Sequence, residues 1–230
     1  MLGPVAPATI HVHPTAPLAE RALLPGDPGR ALALAQALFD DTPRMFNHNR
    51  GLWGYTGTAL DGEPLTVQST GIGGPSAAIV VEELCDLGLR SAIRVGTCTA
   101  LAGGADLGEL VAVREVIAGD GASRALGAPE RMAGDETLTA ELAAHADRAG
   151  TVLSRDLFYD RRRGAGPGGA LAADLETAAV LAVARRRGIR AAAMLAVVAR
   201  GDERLDAEAI ADAGVRLGRA ALAALAPTRA

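Results

Sequence analysis

The chain has 230 residues, of which 49% are hydrophobic and only 3% aromatic, and 27 acidic residues against 23 basic ones give it a formal charge of −4. This length and apolar content are enough to bury one sizeable core, so we expect a single domain over residues 1–230. All of the basic residues are arginine, and they form no dense stripe with interleaved aromatic residues, which argues against nucleic acid as a partner.

Compartment signals point to the cytoplasm. Cys85 and Cys98 lack the spacing of a metal site, and a disulfide framework is not expected without a secretory context. The N-terminal stretch "MLGPVAPATIHVHP" has no basic region followed by an apolar core, as a signal peptide would. The longest apolar run, "AAAMLAVVA" at 191–199, is about half the ~20 residues that span a bilayer. We therefore predict a cytoplasmic protein with no membrane partner and no metal.

Short apolar runs alternate along the chain with Ala- and Leu-rich helical patterns. In chain order, the predicted strands are 22–24, 55–60, 65–69, 91–95, 110–116, 151–154 and 193–198. The predicted helices are 28–39, 75–87, 137–149, 175–187 and 207–225. This alternation indicates α/β layers around a largely buried sheet, and the hairpin signal "LDGEPL" at 60–65 makes part of that sheet antiparallel.

The stretch "LPGDPGR" at 24–30 follows the first predicted strand. It has the pattern of a helix start, because Asp27 can cap free N–H groups and Pro28 suits the first helical position. It also fits an anion site, because Gly26 lets a ligand approach the positive end of the helix dipole and Arg30 adds a full charge one turn later. Taken alone, the stretch leaves both interpretations open.

The stretch "STGIGGPSAAIVVEEL" at 69–84 joins a strand to an amphipathic helix through three glycines and a Pro-Ser helix start. Such a turn is more often a tight connection than a ligand cradle. It lacks the lysine of a P-loop and the full spacing of a dinucleotide-binding motif.

The stretch "IRVGTCTAL" at 93–101 places Arg94 within an otherwise apolar strand, followed by Gly96 and the hydroxyls of Thr97 and Thr99. A guanidinium in a buried strand is costly unless an anion or a carboxylate meets it. A bound anion and an internal salt bridge are equal alternatives here.

The stretch "AADLETAAVLAVARRRG" at 172–188 places Asp174 and Glu176 on one face if the chain is still extended there. The other interpretation is that the two carboxylates simply complement the dipole of the helix that follows. All four stretches lie at strand ends, where open α/β sheets bind ligands. Together they predict a ligand that carries an anion and a polyhydroxylated group.

In order along nearly the whole chain, "PGDPGR", "NRGLWGYTG", "STGIGGPSAAIVVEEL", "RVGTCTAL", "SRDLFY" and "DLETAAV" resemble the hexamer-forming branch of the nucleoside phosphorylases, which includes uridine phosphorylase and bacterial purine nucleoside phosphorylase. The resemblance implies a single-domain α/β/α sandwich around a mixed twisted sheet. It also implies a pentosyltransferase that converts a nucleoside and phosphate to free base and ribose 1-phosphate. Phosphate would be a co-substrate with no cofactor, and the protein would be a homo-oligomer built on a dimer, up to a hexamer.

The resemblance also implies roles for individual residues. Those at the phosphate would be Gly26, Arg30, Arg94 and Thr97, with Arg50 entering from a neighbouring subunit. Those at the ribose would be Leu175 and Glu176, with Glu176 accepting the 2′- and 3′-hydroxyls, and a histidine from the neighbour, for which His11 is a better match than His13. Phe158 would lie beside the base. Arg94 and Glu176 would thus be the catalytic residues.

The sequence departs from the family pattern at several positions. Asp174 replaces a glutamate and is one methylene shorter, and Gly51 replaces the glutamate that binds potassium in some uridine members. An ungapped alignment places Ala199 where purine members carry the acid that protonates the leaving base. Asp202 is a possible acid only if its loop shifts. The Gln-x-Arg with which uridine members read uracil has no clear counterpart.

The missing acid favours uridine or a related pyrimidine nucleoside, because a uracil anion needs a nearby cation and no proton donor. Arg200 and the arginines at 161–163 are the candidate base-binding cations. A purine nucleoside is the first alternative, since "NRGLWGYTG" and "DLFY" look closer to purine members. A nucleosidase of the same fold that uses water is the second, and a non-catalytic nucleotide-binding protein is the third.

Overall fold

The computed structural model describes residues 9–159 and 166–226. In this part of the chain the strands follow the apolar runs of the sequence, with several short additions. The eleven strands are β1 (Arg21–Leu24), β2 (Arg44–Asn47), β3 (Gly54–Thr58), β4 (Pro64–Gln68), β5 (Ser91–Ala100), β6 (Leu110–Ala118), β7 (Arg131–Met132), β8 (Arg148–Ser154), β9 (Ala172–Asp174), β10 (Arg190–Arg200) and β11 (Glu203–Arg204).

Six α-helices accompany these strands among the described residues, and aspartates cap four of them. Asp27, for example, accepts a hydrogen bond from the backbone N–H of Arg30 at 2.7 Å, and Pro28 is the first helical residue, which confirms the helix start expected in "LPGDPGR". The helices are α1 (Pro28–Leu38), α2 (Gly74–Asp86), α3 (Gly121–Ala125), α4 (Glu136–Ala144), α5 (Thr177–Arg187) and α6 (Ala207–Leu225).

The strands form one mixed sheet that closes on itself at one side. Strand β1 pairs in parallel with β4 and β5, and β5 pairs in parallel with β10. From β10 the pairing continues through β6, β8 and β9 and returns to β5, which completes a circuit of five strands. The antiparallel ribbon β4–β3–β2 extends from β1 on the other side, as the hairpin signal predicted.

Helices cover both faces of the sheet. One apolar cluster joins α1, α4 and α6 to the sheet, while α2 and α5 pack on each other in other clusters. Close packing of α6 on α1 depends on Gly218, where a Cβ would lie 2.3 Å from Leu34 Cδ2. One turn earlier, Gly214 faces the aliphatic part of the Arg30 side chain, so Arg30 packs against α6.

One helix is shorter in the structure than the sequence predicted. The helix predicted over 137–149 ends at Ala144, and strand β8 begins at Arg148, three residues before the predicted start of the strand. Pairing with β6 decides this boundary, because Arg148 pairs with Val111 and the Asp147 carboxylate accepts a hydrogen bond from the backbone of Leu110 at 2.8 Å. These long-range bonds outweigh the helix propensity of the alanines.

Helix α5 starts two residues later than the sequence predicted. Residue 174 ends strand β9, and α5 begins at Thr177 rather than at 175. Asp174 and Glu176 therefore precede the helix, but only Asp174 lies in the extended strand, because Glu176 is the N-cap residue with φ −133° and ψ −23°.

A partly buried ion pair ties β1 and the end of α6 to the hairpin. Arg21 is 9% exposed and binds both oxygens of Asp61 at 2.6 Å, and it also donates to the carbonyls of Pro64 and Glu63. A longer bond of 3.4 Å reaches the carbonyl of Leu225 at the end of α6. One guanidinium thus joins β1, the β3–β4 turn and α6.

We expect Asp61→Asn to lower the free energy of unfolding by about 1–3 kcal/mol near neutral pH, because it removes the charge that meets Arg21. Hydrogen bonds from Arg21 hold the pKa of the Asp61 carboxyl below its usual value. The stabilisation is therefore present above the ordinary aspartate pKa and is lost as the pH falls through the lowered one. The difference between wild type and variant should shrink below about pH 4.

Urea denaturation of both proteins at neutral pH and at about pH 3 measures this difference. The matched control is Asp106→Asn, which breaks the exposed pair with Arg200 and should change stability by less than about 0.5 kcal/mol. An equal effect of Asp61→Asn at both pH values would contradict the ion-pair account.

Candidate functional site

A cavity of about 490 Å³ opens where several strands end. Its walls come from the loops after β1 and β4, from the second half of β5, and from the ends of β9 and β10. Parallel strands β1, β4 and β5 direct their carboxyl ends to this edge of the sheet, which is the usual place for a ligand in an open α/β sheet.

Two glycine-containing loops form one wall of the cavity and are bonded to each other. The backbone N–H of Gly71 donates to the carbonyl of Gly26 at 3.0 Å, and that of Thr70 donates to the carbonyl of Pro25 at 2.8 Å. A Cβ at Gly26 would lie 3.2 Å from the Gly71 carbonyl oxygen, so a side chain there would crowd the neighbouring loop. The "LPGDPGR" and "STGIGG" motifs are thus one structural unit.

Arg94 is buried beneath this wall between two carboxylates. It is 2% exposed, and its Nη2 lies 2.6 Å from Glu176 Oε2 and 3.0 Å from Asp174 Oδ2. Burial would lower the pKa of Arg94, but the charges of Glu176 and Asp174 outweigh it and raise the pKa above its ordinary value. A Cβ at Gly96 would lie 2.6 Å from Nη2, so this glycine makes room for the guanidinium. The internal salt bridge expected as one alternative is present.

One donor of Arg94 has no partner. Its Nη1 is buried and makes no hydrogen bond with any described residue, although Arg94 lines the cavity. A buried donor of this kind is costly to leave unpaired. The salt bridge therefore leaves the hydrogen-bonding capacity of Nη1 unused.

Asp174 is held in place by several hydrogen bonds from its neighbours. Its Oδ1 accepts a hydrogen bond from the Ser154 hydroxyl at 2.6 Å, and its Oδ2 accepts from both the hydroxyl and the backbone N–H of Thr177, at 2.6 and 2.9 Å. The Ser154 hydroxyl in turn accepts from the backbone N–H of Ala178 at 2.9 Å. The carboxylate therefore holds Arg94, the end of β8 and the start of α5 in one arrangement.

Glu176 reaches the glycine-rich loop from the opposite side. Its Oε1 accepts a hydrogen bond from the backbone N–H of Gly73 at 2.7 Å, and Oε2 accepts from Arg94. Gly73 has φ +88°, a conformation that favours glycine, and this conformation presents the N–H to the carboxylate. Each carboxylate oxygen can accept a second hydrogen bond, so Glu176 still has acceptor capacity toward the cavity.

The charge of the cavity is opposite to that of the chain. Among the described residues, five arginines and three carboxylates line it, an excess of two positive charges in a chain whose formal charge is −4. Burial lowers the pKa of Arg30, with Asp27 and Glu176 opposing the shift and Arg94 adding to it. Such a concentration of guanidinium groups favours an anionic ligand.

The structure brings together most of the residues selected from the sequence. Those that line the cavity are Gly26, Arg30, Arg50, Arg94, Thr97, Phe158, Leu175 and Glu176. Arg50 lies at an exposed rim in the left-handed conformation, with φ +58°, which is rare for a residue other than glycine. Phe158 is 53% exposed, so an aromatic face is accessible beside the cavity.

Four residues selected from the sequence do not line this cavity in the described structure. The His11 Nδ1 lies 2.7 Å from Glu83 Oε1, and His13 likewise lies outside the lining. Arg200 points to Asp106, at 2.6 Å, and Asp202 lies in the turn between β10 and β11. The arginines at 161–163 lie outside the described residues.

Sequence reasoning missed two arginines of the cavity, Arg155 and Arg204. Arg155 is the second residue of "SRDLFY", a motif that was noted only for its aromatic residue. Arg204 lies on β11, a strand of two residues that pairs with the end of β10 and that no sequence pattern indicated. The motif position of Arg155 was a usable signal, whereas Arg204 depends on a hairpin visible only in three dimensions.

A family model described as the phosphorylase superfamily matches residues 20–226. The chain belongs to the phosphorylase superfamily. This phosphorylase is 36% identical over 189 residues to a guanosine phosphorylase of Halorubrum lacusprofundi, covering 77% of each chain. It is 34% identical over 194 residues to a DeoD-type purine nucleoside phosphorylase of Bacillus thuringiensis, covering 78% of this chain and 81% of the relative.

A solved structure gives the same result for the fold. A uridine phosphorylase from Vibrio fischeri ES114 matches this phosphorylase with a TM-score of 0.80 and 26% identity, covering 90% of this chain and 92% of the other. The family and fold that the motifs implied are confirmed. The protein is a pentosyltransferase of the nucleoside phosphorylase type, with phosphate as its co-substrate.

The described residues show neither a metal cluster nor a membrane-spanning helix. No group of three or more His, Cys, Asp or Glu side chains within 9–159 and 166–226 is arranged to hold a metal ion. In the same part of the phosphorylase, each helix is too short or too polar to cross a membrane.

Proposed function

We propose that this phosphorylase cleaves a purine ribonucleoside such as guanosine or inosine, with phosphate bound between the "LPGDPGR" loop and β5. The observation that carries the proposal is the orphaned Nη1 of Arg94 at the wall of a cavity with excess positive charge. The remaining donors of this wall are Arg30, the backbone at Gly26 and the hydroxyl of Thr97. A phosphate dianion meets both requirements, because it offers several acceptor oxygens and two negative charges.

The ribose then lies between phosphate and base, against Glu176 and Leu175. The Glu176 carboxylate is held by Gly73 and Arg94 and keeps acceptor capacity for the two sugar hydroxyls. Charge-assisted hydrogen bonds of this kind contribute roughly 1.5–3 kcal/mol each and fix the orientation of the sugar.

The chemistry follows from this order of groups. Cleavage of the glycosidic bond builds positive charge on the sugar, as in other glycosyl transfers. A phosphate held beneath the sugar by fixed guanidinium groups stabilises that charge and is positioned to attack, without a covalent enzyme intermediate. The buried charge of Arg94 stabilises the bound phosphate and also orients Glu176 toward the ribose. The phosphate and ribose sites therefore share the Arg94 side chain.

Two observations favour a purine base over the uridine that the sequence favoured. The relatives at 36% and 34% identity are named for guanosine and for purine nucleosides. Arg200, the cation proposed to stabilise a uracil anion, is engaged with Asp106 outside the cavity. Uridine is the second candidate, because the matching solved structure is a uridine phosphorylase and Ala199 lines the cavity at the position of the family's acid.

We further propose that the working unit is an oligomer built on a dimer, in which a neighbour completes each site. His11 lies away from the cavity of its own chain, and Arg50 lies at its exposed rim. Both positions are compatible with donation across a two-fold interface, which would complete two sites at once. A cytoplasmic location remains a prediction from the sequence.

The first test of this function is phosphate dependence. We expect Arg94→Ala to lower kcat/KM with phosphate by about 100-fold or more, because it removes a fixed charge from a transition state in which charge develops. Since truncating Arg94 leaves two carboxylates unpaired, Arg30→Gln serves as a second variant, with KM for phosphate raised about tenfold and KM for the nucleoside little changed. Arg90→Ala, exposed and outside the cavity, is the matched control.

Base release is measured with and without phosphate for each protein. Equal release in phosphate-free buffer would contradict phosphorolysis and support the nucleosidase alternative. No release under either condition would support a non-catalytic binding protein.

The second test concerns the base. We expect kcat/KM for inosine or guanosine to exceed that for uridine by tenfold or more. Asp202 does not line the cavity in the described structure, so it acts as the acid only if the turn between β10 and β11 moves toward the base; with that movement, Asp202→Asn lowers the purine values by about 100-fold and spares uridine. The reason is that N7 of a departing purine needs a proton, whereas a uracil anion does not. A preference for uridine that Asp202→Asn leaves unchanged would reverse the assignment.

The third test concerns the shared site. Arg50→Ala and Glu176→Ala subunits should each be inactive alone, and mixing them should restore part of the activity, because one site of a mixed dimer carries neither defect. Activity is assayed after co-refolding or co-expression of the two variants. Failure of the mixture to recover, or a fully active monomer at assay concentration, would exclude a site completed by the neighbour.

A further inference from the structure

We propose that Arg155 determines which base this phosphorylase accepts, by donating hydrogen bonds to an exocyclic oxygen of the base. The enzyme then selects 6-oxopurine nucleosides over 6-aminopurine nucleosides, and uridine over cytidine if pyrimidines are cleaved. This inference rests on the proposed function, because it assigns the base end of the same cavity.

The backbone of Arg155 is fixed on both sides. The preceding Ser154 is bonded to Asp174, and the N–H of Arg155 donates to the carbonyl of Asp174 at 3.0 Å. The carboxylate of the following residue, Asp156, accepts from the N–H of Gly121 at 3.1 Å. The chain can therefore present the Arg155 side chain to the cavity from a constant position.

The guanidinium itself is available to a ligand. Arg155 is half-buried and lines the cavity, and its side chain makes no hydrogen bond or ion pair with the residues that the structure describes. Arg200, by contrast, is occupied by Asp106. Arg155 is thus a partly desolvated cation that the proposed phosphate and ribose contacts do not use.

Arg155 reaches the cavity from a different segment than the residues proposed to hold phosphate. It follows β8, whereas Gly26 and Arg30 lie in the loop after β1 and at the start of α1. Arg155 lies three residues before Phe158, the accessible aromatic side chain at the cavity. Stacking on Phe158 would place the edge of a base within the reach of the guanidinium.

The chemistry of the guanidinium then decides the base. Arginine offers five N–H donors, has no acceptor and keeps its charge. The 6-oxo group of guanine or hypoxanthine accepts such hydrogen bonds, as does the 4-oxo group of uracil. The amino group of adenine or cytosine would instead point its own N–H donors at the Arg155 guanidinium. Both groups would then lose their water contacts without forming a hydrogen bond, which weakens binding. Discrimination therefore depends on the exocyclic group, whichever ring is bound.

The test compares inosine with adenosine, and uridine with cytidine, in wild type and in Arg155→Met, which keeps much of the packing without the charge. We expect the inosine-to-adenosine ratio of kcat/KM to fall by about 10- to 100-fold in Arg155→Met, with KM for phosphate unchanged. Arg155→Gln, whose amide both donates and accepts, should raise kcat/KM for adenosine above the wild-type value. The matched control is Arg148→Ala at the start of β8, the strand that ends immediately before Arg155. Arg148 pairs with Glu109 outside the cavity, so its loss should leave both ratios unchanged.

The outcomes separate this inference from the proposed function. A wild-type enzyme that releases no base from any of the four nucleosides with phosphate would overturn the proposed function. Phosphorolysis with the same oxo-to-amino ratio in wild type, Arg155→Met and Arg155→Gln would overturn the role of Arg155 alone. An unchanged ratio with a raised KM for phosphate in Arg155→Met would identify Arg155 as a phosphate ligand and also reject the inference.

Discussion

A guanidinium buried between two carboxylates sets the geometry on which this site depends. Arg94 cannot be desolvated without opposite charge, so the fold must bring Asp174 and Glu176, more than 70 residues later in sequence, against the end of β5. Ser154 and Thr177 then hold the Asp174 carboxylate, and Gly96 leaves space for the guanidinium. Because every member of this cluster is bonded to another, the walls of the cavity are fixed before any ligand arrives.

The same cluster explains how an acidic protein binds an anionic co-substrate. Asp174 and Glu176 neutralise part of the arginine charge, but the cavity retains an excess of positive charge in a chain of net charge −4. The carboxylates also differ in their surroundings: Oδ2 of Asp174 accepts from both Thr177 and Arg94 while Oδ1 accepts from Ser154, whereas each oxygen of Glu176 accepts one hydrogen bond and can accept a second. One carboxylate is therefore structural and the other suits sugar hydroxyls, although they are two residues apart.

Three segments converge on the cavity from different parts of the fold. The loops after β1 and β4 are bonded to each other and form the wall where we propose that phosphate binds, while the segment after β8 carries Phe158 and the half-buried Arg155. Closure of the sheet through β9 brings the end of β8 close to β5, so the segment proposed to bind the base lies next to the strand proposed to bind phosphate. Phosphate chemistry and base selection can thus vary separately, because different segments carry them.

Local chemistry allowed the sequence by itself to determine the α/β class, the helix start at Asp27 and Pro28, the family and the cluster of motifs at strand ends. Each depends on neighbouring residues or on a motif that stands in one stretch of chain. Only the tertiary structure decided that β8 begins at Arg148, that Arg200 turns to Asp106, and that Arg155 lines the cavity. The physical reason is that strand register and the direction of a side chain at a strand end are set by pairing with segments distant in sequence.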